Sequence, residues 1–224
     1  VTFSIVARSR DSQLFGLAIA SSSPAVAARC AHARAGVGAV ASQNITDPAL
    51  GPLVLDALAS GAESAVAIER VLAGTPHAQY RQLLAVGASG PPAVHSGSRA
   101  LGIVASAISR DSAAAGNLLR SPEVPAAMSD AFERAHGDFA PRLLAAMRAG
   151  LAAGGEAGPI HSAGLLIVRD QRWPIVDLRV DWAHAEPLGA LGALWELYAP
   201  QLEAYVQRAV DPGAAPSFGV PGNL

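Results

Sequence analysis

Hydrophobic and polar positions alternate over the first eight residues, with Phe3, Ile5 and Ala7 on one side and Thr2, Ser4 and Val6 on the other. That period of two, in β-branched and aromatic residues, predicts a strand over 1–8. A polar turn leads into a second apolar run over 14–21, so the two predict a β-hairpin whose second strand ends in Ser21-Ser22-Ser23. Pro24 opens a helix-compatible run over 25–35, and 36–43 reads as a third strand whose small residues allow close packing on both faces. After a loop over 44–48 the period lengthens. Leu53, Leu55 and Leu58, then Val66, Ile68, Val71 and Leu72, predict helices over 48–60 and 62–73, stopped by Gly61 and Gly74. A short hairpin over 83–88 and 93–96 follows, then strands over 101–107 and 113–119, the latter containing Gly116-Asn117. Two helices, 122–136 and 139–153, each with Pro near the first turn, precede a glycine-rich loop over 154–159. A last hairpin over 162–169 and 174–181 leads into one long helix over 187–210 and a Pro- and Gly-rich tail over 211–224.

Hairpins punctuated by helix pairs, without regular βαβ alternation, exclude a doubly wound nucleotide-binding fold. They predict an α+β fold in which antiparallel sheets are covered by helix layers. The 224 residues suit one domain over 1–210 followed by the tail. Composition then narrows the chemistry. With 51% apolar residues, 15% charged residues and a formal net charge of −2, the chain can build a large core but offers no electrostatic footprint for nucleic acid or an anionic membrane. No apolar run approaches the ~18 residues of a membrane span. All 16 basic residues are arginine, which removes Ser–Lys dyads, Schiff-base chemistry and the lysine-ended phosphate loop. A single cysteine, Cys30, permits neither an internal disulfide nor a cysteine metal cluster. With no secretory leader in view, the expected location is cytoplasmic.

Several places in this frame can carry chemistry. Val1 reads as a GUG start codon, so removal of the initiator would leave Thr2 with a hydroxyl nucleophile and its own α-amine as base, sufficient to cleave an amide. The plainer reading of Thr2 is a β-former at a strand start. Asp177, Arg179 and Asp181 share one face of a strand, either a solvated face or a carboxylate–guanidinium pair that orients a nucleophile or holds a substrate carboxylate. Ser162 begins the partner strand. Asn117, after Gly116, is either a turn residue or an oxyanion donor. Glu156 lies in a Gly-rich loop that a substrate can approach. A triad of Ser21 or Ser162 with His161 and Asp177 can be drawn, but no Gly-x-Ser-x-Gly elbow supports it. The six histidines form no His-x-x-x-His pair, so a metal site is not expected.

Taken in order, Thr2–Arg8, Gly16-Leu17-Ala18-Ile19-Ala20-Ser21, Gly36-Val37-Gly38-Ala39-Val40-Ala41-Ser42-Gln43, Gly116-Asn117-Leu118-Leu119, Gly154-Gly155 and Val176-Asp177-Leu178-Arg179-Val180-Asp181 resemble the bacterial domain of unknown function 1028. That family is in turn similar to the N-terminal nucleophile (Ntn) hydrolases. The resemblance implies a four-layer αββα sandwich, two antiparallel sheets between helix layers, and a terminal Thr, Ser or Cys nucleophile. It also implies a small-molecule amide as substrate and no metal or organic cofactor. Glu156 stands where the family's Gly-Gly-Asp has its acid. On this reading Thr2, Asn117 and Asp177 are the catalytic candidates, and Ser21, Gln43, Glu156, Ser162 and Arg179 contact the substrate or orient the terminus. Without lysine, an arginine must supply any positive potential near the nucleophile. No nucleic acid or membrane partner is expected, and homodimerisation is left open. The competing reading is a non-catalytic sandwich that binds a small ligand or self-assembles.

Overall fold

The computed structural model describes residues 2–11 and 13–217, so Val1 and the end of the expected tail, 218–224, lie outside the described residues. Among the described residues, ten strands form two antiparallel sheets. Sheet A contains β1 (Thr2–Arg8), β2 (Phe15–Ser21), β7 (Ile103–Ile108), β8 (Ser112–Leu119), β9 (Ser162–Val168) and β10 (Val176–Val180), in the order β10-β9-β2-β1-β8-β7. Sheet B is β3 (Ala31–Arg34), β4 (Gly38–Asn44), β5 (Arg81–Gly87) and β6 (Ala93–Ser96), in chain order. The helices are α1 (Val26–Cys30), α2 (Leu50–Ala59), α3 (Ser64–Ala73), α4 (Val124–Arg134), α5 (Phe139–Ala152), α6 (Pro187–Tyr198) and α7 (Leu202–Val210).

The alternation read in the sequence sorts side chains into three apolar layers. Phe3, Ile5 and Ala7 of β1 join Leu165 and Ile167 of β9 under Met128, Phe132, Leu143 and Met147 of α4 and α5. Val6, Leu17, Ile19 and Leu166 point the other way and meet Ala39, Ala41, Leu84 and Val86 of sheet B. The outer face of sheet B, with Val40, Leu83 and Ala85, is covered by Leu50, Val54, Leu55 and Ile68 of α2 and α3. The result is the expected helix–sheet–sheet–helix sandwich.

Two elements differ from expectation. The run over 25–35 is not one helix. It winds for five residues from Ala25, whose φ is 51°, and then becomes the edge strand β3, pairing Ala31 with Ala41 and Arg34 with Gly38. Pairing across a tight turn overrides the helix preference of an alanine-rich stretch. The long C-terminal helix is interrupted over 199–201, where Pro200 has no N–H to donate and its ring crowds the preceding turn. The short α1 sits directly on β9: a Cβ added to Gly164 would lie 2.3 Å from the Ala27 methyl.

Candidate active site

The inter-sheet layer changes character along its length. At one end it is apolar. At the other, the same alternation delivers polar side chains: Thr2 and Ser4 from β1, Ser21 from β2, Gln43 from β4, Gln82 from β5 and Asn117 from β8. Ser4, Ser21, Gln43, Gln82 and Asn117 are all 0% exposed and Thr2 is 5% exposed. Register sets their neighbours. Thr2 pairs with Asn117 on one side. On the other, its hydroxyl donates to the Ser21 hydroxyl at 3.4 Å, and Ser21 pairs with Ser162. Asn117, Thr2, Ser21 and Ser162 therefore form one row across four strands of sheet A.

Beneath the row lies a connected chain of amides. Ser4 Oγ donates to Gln43 Oε1 at 2.7 Å, and Gln43 Nε2 donates to Gln82 Oε1 at 2.8 Å. Asn117 Nδ2 donates to the same Gln82 oxygen at 3.0 Å. Gln82 Nε2 donates to Ser96 Oγ at 2.9 Å and to the Gly116 carbonyl at 3.1 Å. Buried amides are tolerated because each finds partners. Asn117 Oδ1 is an exception, buried without a hydrogen-bond partner. Gln82 carries the junction of this network but gives a weak sequence signal: it precedes the apolar run that announces β5, outside the predicted 83–88. A glutamine buried in a strand, like Gln43 in β4, is the pattern that would have found it.

A bulge places the acid. Between β7 and β8 the pairing steps from Ala105–Gly116 to Ile103–Leu119, so two residues of β8, Asn117 and Leu118, face one of β7, Val104. Leu118, in the bulge, has φ 49°, a left-handed conformation that costs a branched residue about 1 kcal/mol or more and tends to occur at functional sites. Its carbonyl accepts from Ala157 N at 2.8 Å, and Arg120 N donates to the Gly155 carbonyl at 3.1 Å. These bonds clamp the backbone on both sides of Glu156, and Gly155 makes the turn with φ 58°. Glu156 ends up 2% exposed. Burial pushes its carboxyl up to about 7, and neighbouring Ser22 draws it only part of the way back. Neither carboxyl oxygen makes a hydrogen bond of ordinary geometry.

The sign of the resulting pH dependence follows. The folded chain keeps the Glu156 proton up to about pH 7, whereas an unfolded glutamate releases it near 4.5. Its contribution to stability is fully present below the unfolded value and is lost as pH rises through the folded one. Glu156→Gln is therefore expected to stabilise the protein by about 2 kcal/mol at pH 8, roughly 4–8 °C in Tm, and to leave it nearly unchanged at pH 4.5. Thermal melts of both proteins between pH 4.5 and 8 measure the difference; a gap independent of pH would contradict the burial assignment.

The structure gathers Thr2, Ser21, Gln43, Asn117 and Glu156 at this end of the sandwich. Ser162 belongs to the row, but its hydroxyl is engaged elsewhere. It donates to the Ser23 carbonyl at 2.6 Å and accepts from Val26 N at 3.3 Å, which pins the start of α1. Asp177 and Arg179 are not brought to Thr2. Sheet A is two strands wider than sheet B, so β10 overhangs, and its Asp177 and Arg179 stand 37% and 39% exposed. They pair with each other at 2.7 and 2.8 Å. Three strand spacings and four residues of register separate Asp177 from Thr2, roughly 20 Å by strand dimensions. The triad drawn through His161 also fails: its Nδ1 lies 2.8 Å from the Ala183 carbonyl and its ring stacks on Trp182 at 4.4 Å. Among the described residues, no group of three or more His, Cys, Asp or Glu is placed to hold a metal ion. No helix among them is long and apolar enough to cross a membrane.

Residues 2–191 match the model of the family of unknown function DUF1028. The chain belongs to that family. A similar solved structure is that of protein SPO2555 from Silicibacter pomeroyi, described with the DUF1028 model. It is 32% identical, covers 88% of this chain and 89% of its own, and has a TM-score of 0.82. Anbu (ancestral beta-subunit) from Yersinia bercovieri covers 91% of this chain and 97% of its own at 11% identity, with a TM-score of 0.40. A score that low lends no weight to any functional reading. No curated protein matches the chain. DUF1028 membership therefore agrees with the fold and leaves the chemistry to be read from the site.

Proposed function

We propose that this DUF1028 protein is an N-terminal-nucleophile amidohydrolase that cleaves the C–N bond of a small-molecule amide. Thr2 becomes the nucleophile once what precedes it has been removed. The observation that carries this reading is the row Asn117–Thr2–Ser21 at the polar end of the inter-sheet layer, with a buried acid, Glu156, beside Ser22. In the proposed reaction the freed α-amine takes the Thr2 hydroxyl proton as Oγ1 attacks the carbonyl carbon. The developing oxyanion accepts from the second N–H of the Asn117 amide, whose first is held by Gln82. The amine then passes the proton to the leaving nitrogen as the C–N bond breaks. The amine product leaves, and water then hydrolyses the acyl-threonine ester, releasing the acid and restoring Thr2. Glu156 offers an acceptor to the α-amine at the end of β1. The Asp177–Arg179 pair has no part in this scheme.

The test is covalent capture. A β-lactone should acylate the protein once, on the N-terminal peptide, in a chain whose intact mass shows Thr2 to be the first residue. Thr2→Ala should remove the adduct. Labelling that survives Thr2→Ala, or no labelling of a chain with a free Thr2 amine, would favour a ligand-binding sandwich instead.

A further inference from the structure

A cavity of about 770 Å³ opens where the 154–160 segment, the end of α5 and the first turn of α6 meet. That is the size of a small-molecule site. Glu156 lines it and also approaches Ser22 at the end of the Thr2 row, so the cavity and the row share a wall. Arg120 and Arg148 line it too, and neither has a carboxylate within ion-pair distance among the described residues. Arg120 uses one nitrogen, Nη2, to donate to the Ala157 carbonyl at 3.1 Å. Arg148 lies over α6, its Nη2 2.9 Å from where a Cβ on Gly192 would stand, so the glycine makes its room. The other acid of the wall, Glu186, folds back over the first turn of α6, with Oε2 3.5 Å from the Cβ position of Gly189. Arg120 and Arg148 are exposed at the cavity wall and present two planar donor groups that match a carboxylate, while Glu186 is turned toward its own helix.

We infer that the substrate is an amide bearing a carboxylate a few bonds from the scissile C–N bond, as in an N-acyl amino acid, and that Arg148 and Arg120 hold that carboxylate in the cavity. This rests on the reading of Thr2 as nucleophile, because the shared Glu156 wall is what sets the carboxylate end beside the reacting end. It also supplies the positive potential that a chain without lysine must draw from arginine.

Calorimetric titration of the Thr2→Ala protein with N-acetylglycine and with N-acetylglycinamide tests it, since the two probes differ in the carboxylate alone. The acid should bind about 10- to 100-fold more tightly, the range expected for charge-assisted contacts. Arg148→Met should remove that advantage without changing the affinity for the neutral amide, and Arg148→Lys should recover part of it. Arg120→Met gives a second variant on a different element. Equal affinity for the two probes, binding of neither at millimolar concentration, or an advantage untouched by both arginine variants would overturn the inference. The two readings fail separately. Arginine-dependent binding of the acid without Thr2-dependent turnover sinks the nucleophile and leaves the carboxylate site standing; Thr2-dependent turnover of neutral amides at equal or better efficiency does the reverse.

Discussion

Thr2→Ala is expected to lower amide turnover by about 10³-fold or more while leaving the fold intact. Removing a covalent nucleophile forfeits the whole acyl-enzyme route, and the remaining oxyanion donor and binding groups supply only a residual rate. The structural cost is small. The side chain is almost fully buried, but its hydrogen bond to the Ser21 hydroxyl is long at 3.4 Å, so the stability loss should stay near 1 kcal/mol. Thr2→Ser keeps the hydroxyl and loses the methyl that restricts χ1, so it should retain roughly a tenth of the activity. A chain carrying one extra residue ahead of Thr2 should be as inactive as Thr2→Ala, because an amide nitrogen cannot act as the base. The activity of the processed enzyme should rise with pH near the amine's ordinary value, about 7 to 8. Single-turnover rates on one amide for the four proteins decide the matter. Full activity in a chain that retains a residue before Thr2 would refute the mechanism.

How much of this was legible in the sequence depended on the range of each signal. Alternation is local, and it sorted Phe3, Ile5 and Ala7 from Thr2, Ser4 and Val6 onto the correct faces of β1. Gly116-Asn117 inside an apolar run marked β8, and the structure pairs Asn117 with Thr2. The same alternation correctly put Asp177 and Arg179 on one face of β10, yet nothing local says that sheet A is wider than sheet B and that this face of β10 stays partly exposed. Sheet width is a property of the whole chain, and it turned a candidate site pair into an exposed ion pair of little energetic weight. Ser162 does begin the strand paired with β10, but the bonds that occupy its hydroxyl come from Ser23 and Val26, about 140 positions away, and no spacing rule reaches that far. Glu156 was visible as an acid in a glycine loop. Its burial was not, because the bulge at Leu118 that clamps the loop is set by the pairing of β7 with β8.

The largest stability effect is expected at Gln82. Its side-chain oxygen accepts from both Gln43 and Asn117, and its nitrogen donates to Ser96 and to the Gly116 carbonyl. Gln82→Leu keeps the volume but leaves buried Asn117 Nδ2 without its acceptor and Gln43 Nε2 with only the Ala115 carbonyl at 3.4 Å, and it removes a donor from the Gly116 carbonyl, while exposed Ser96 can turn to water. Each unsatisfied buried polar group costs about 1–3 kcal/mol, and relaxation recovers part of the sum, so a loss of about 3–5 kcal/mol is expected. In a domain of this size that is roughly 6–20 °C in Tm. Pairing it with Gln43→Leu should cost less than the two single changes added together, by about 1–3 kcal/mol, because the second substitution removes a group that the first left unsatisfied. Urea unfolding of the two single variants and the double variant measures that coupling, and strict additivity would mean that the amides do not act as one network. The site should register the change as well. Without the Gln82 oxygen the Asn117 amide loses its fixed direction, so where Gln82→Leu still folds, kcat should fall while KM changes little, since an oxyanion donor acts on the transition state more than on the bound amide. A rise confined to KM would instead assign Asn117 to substrate binding.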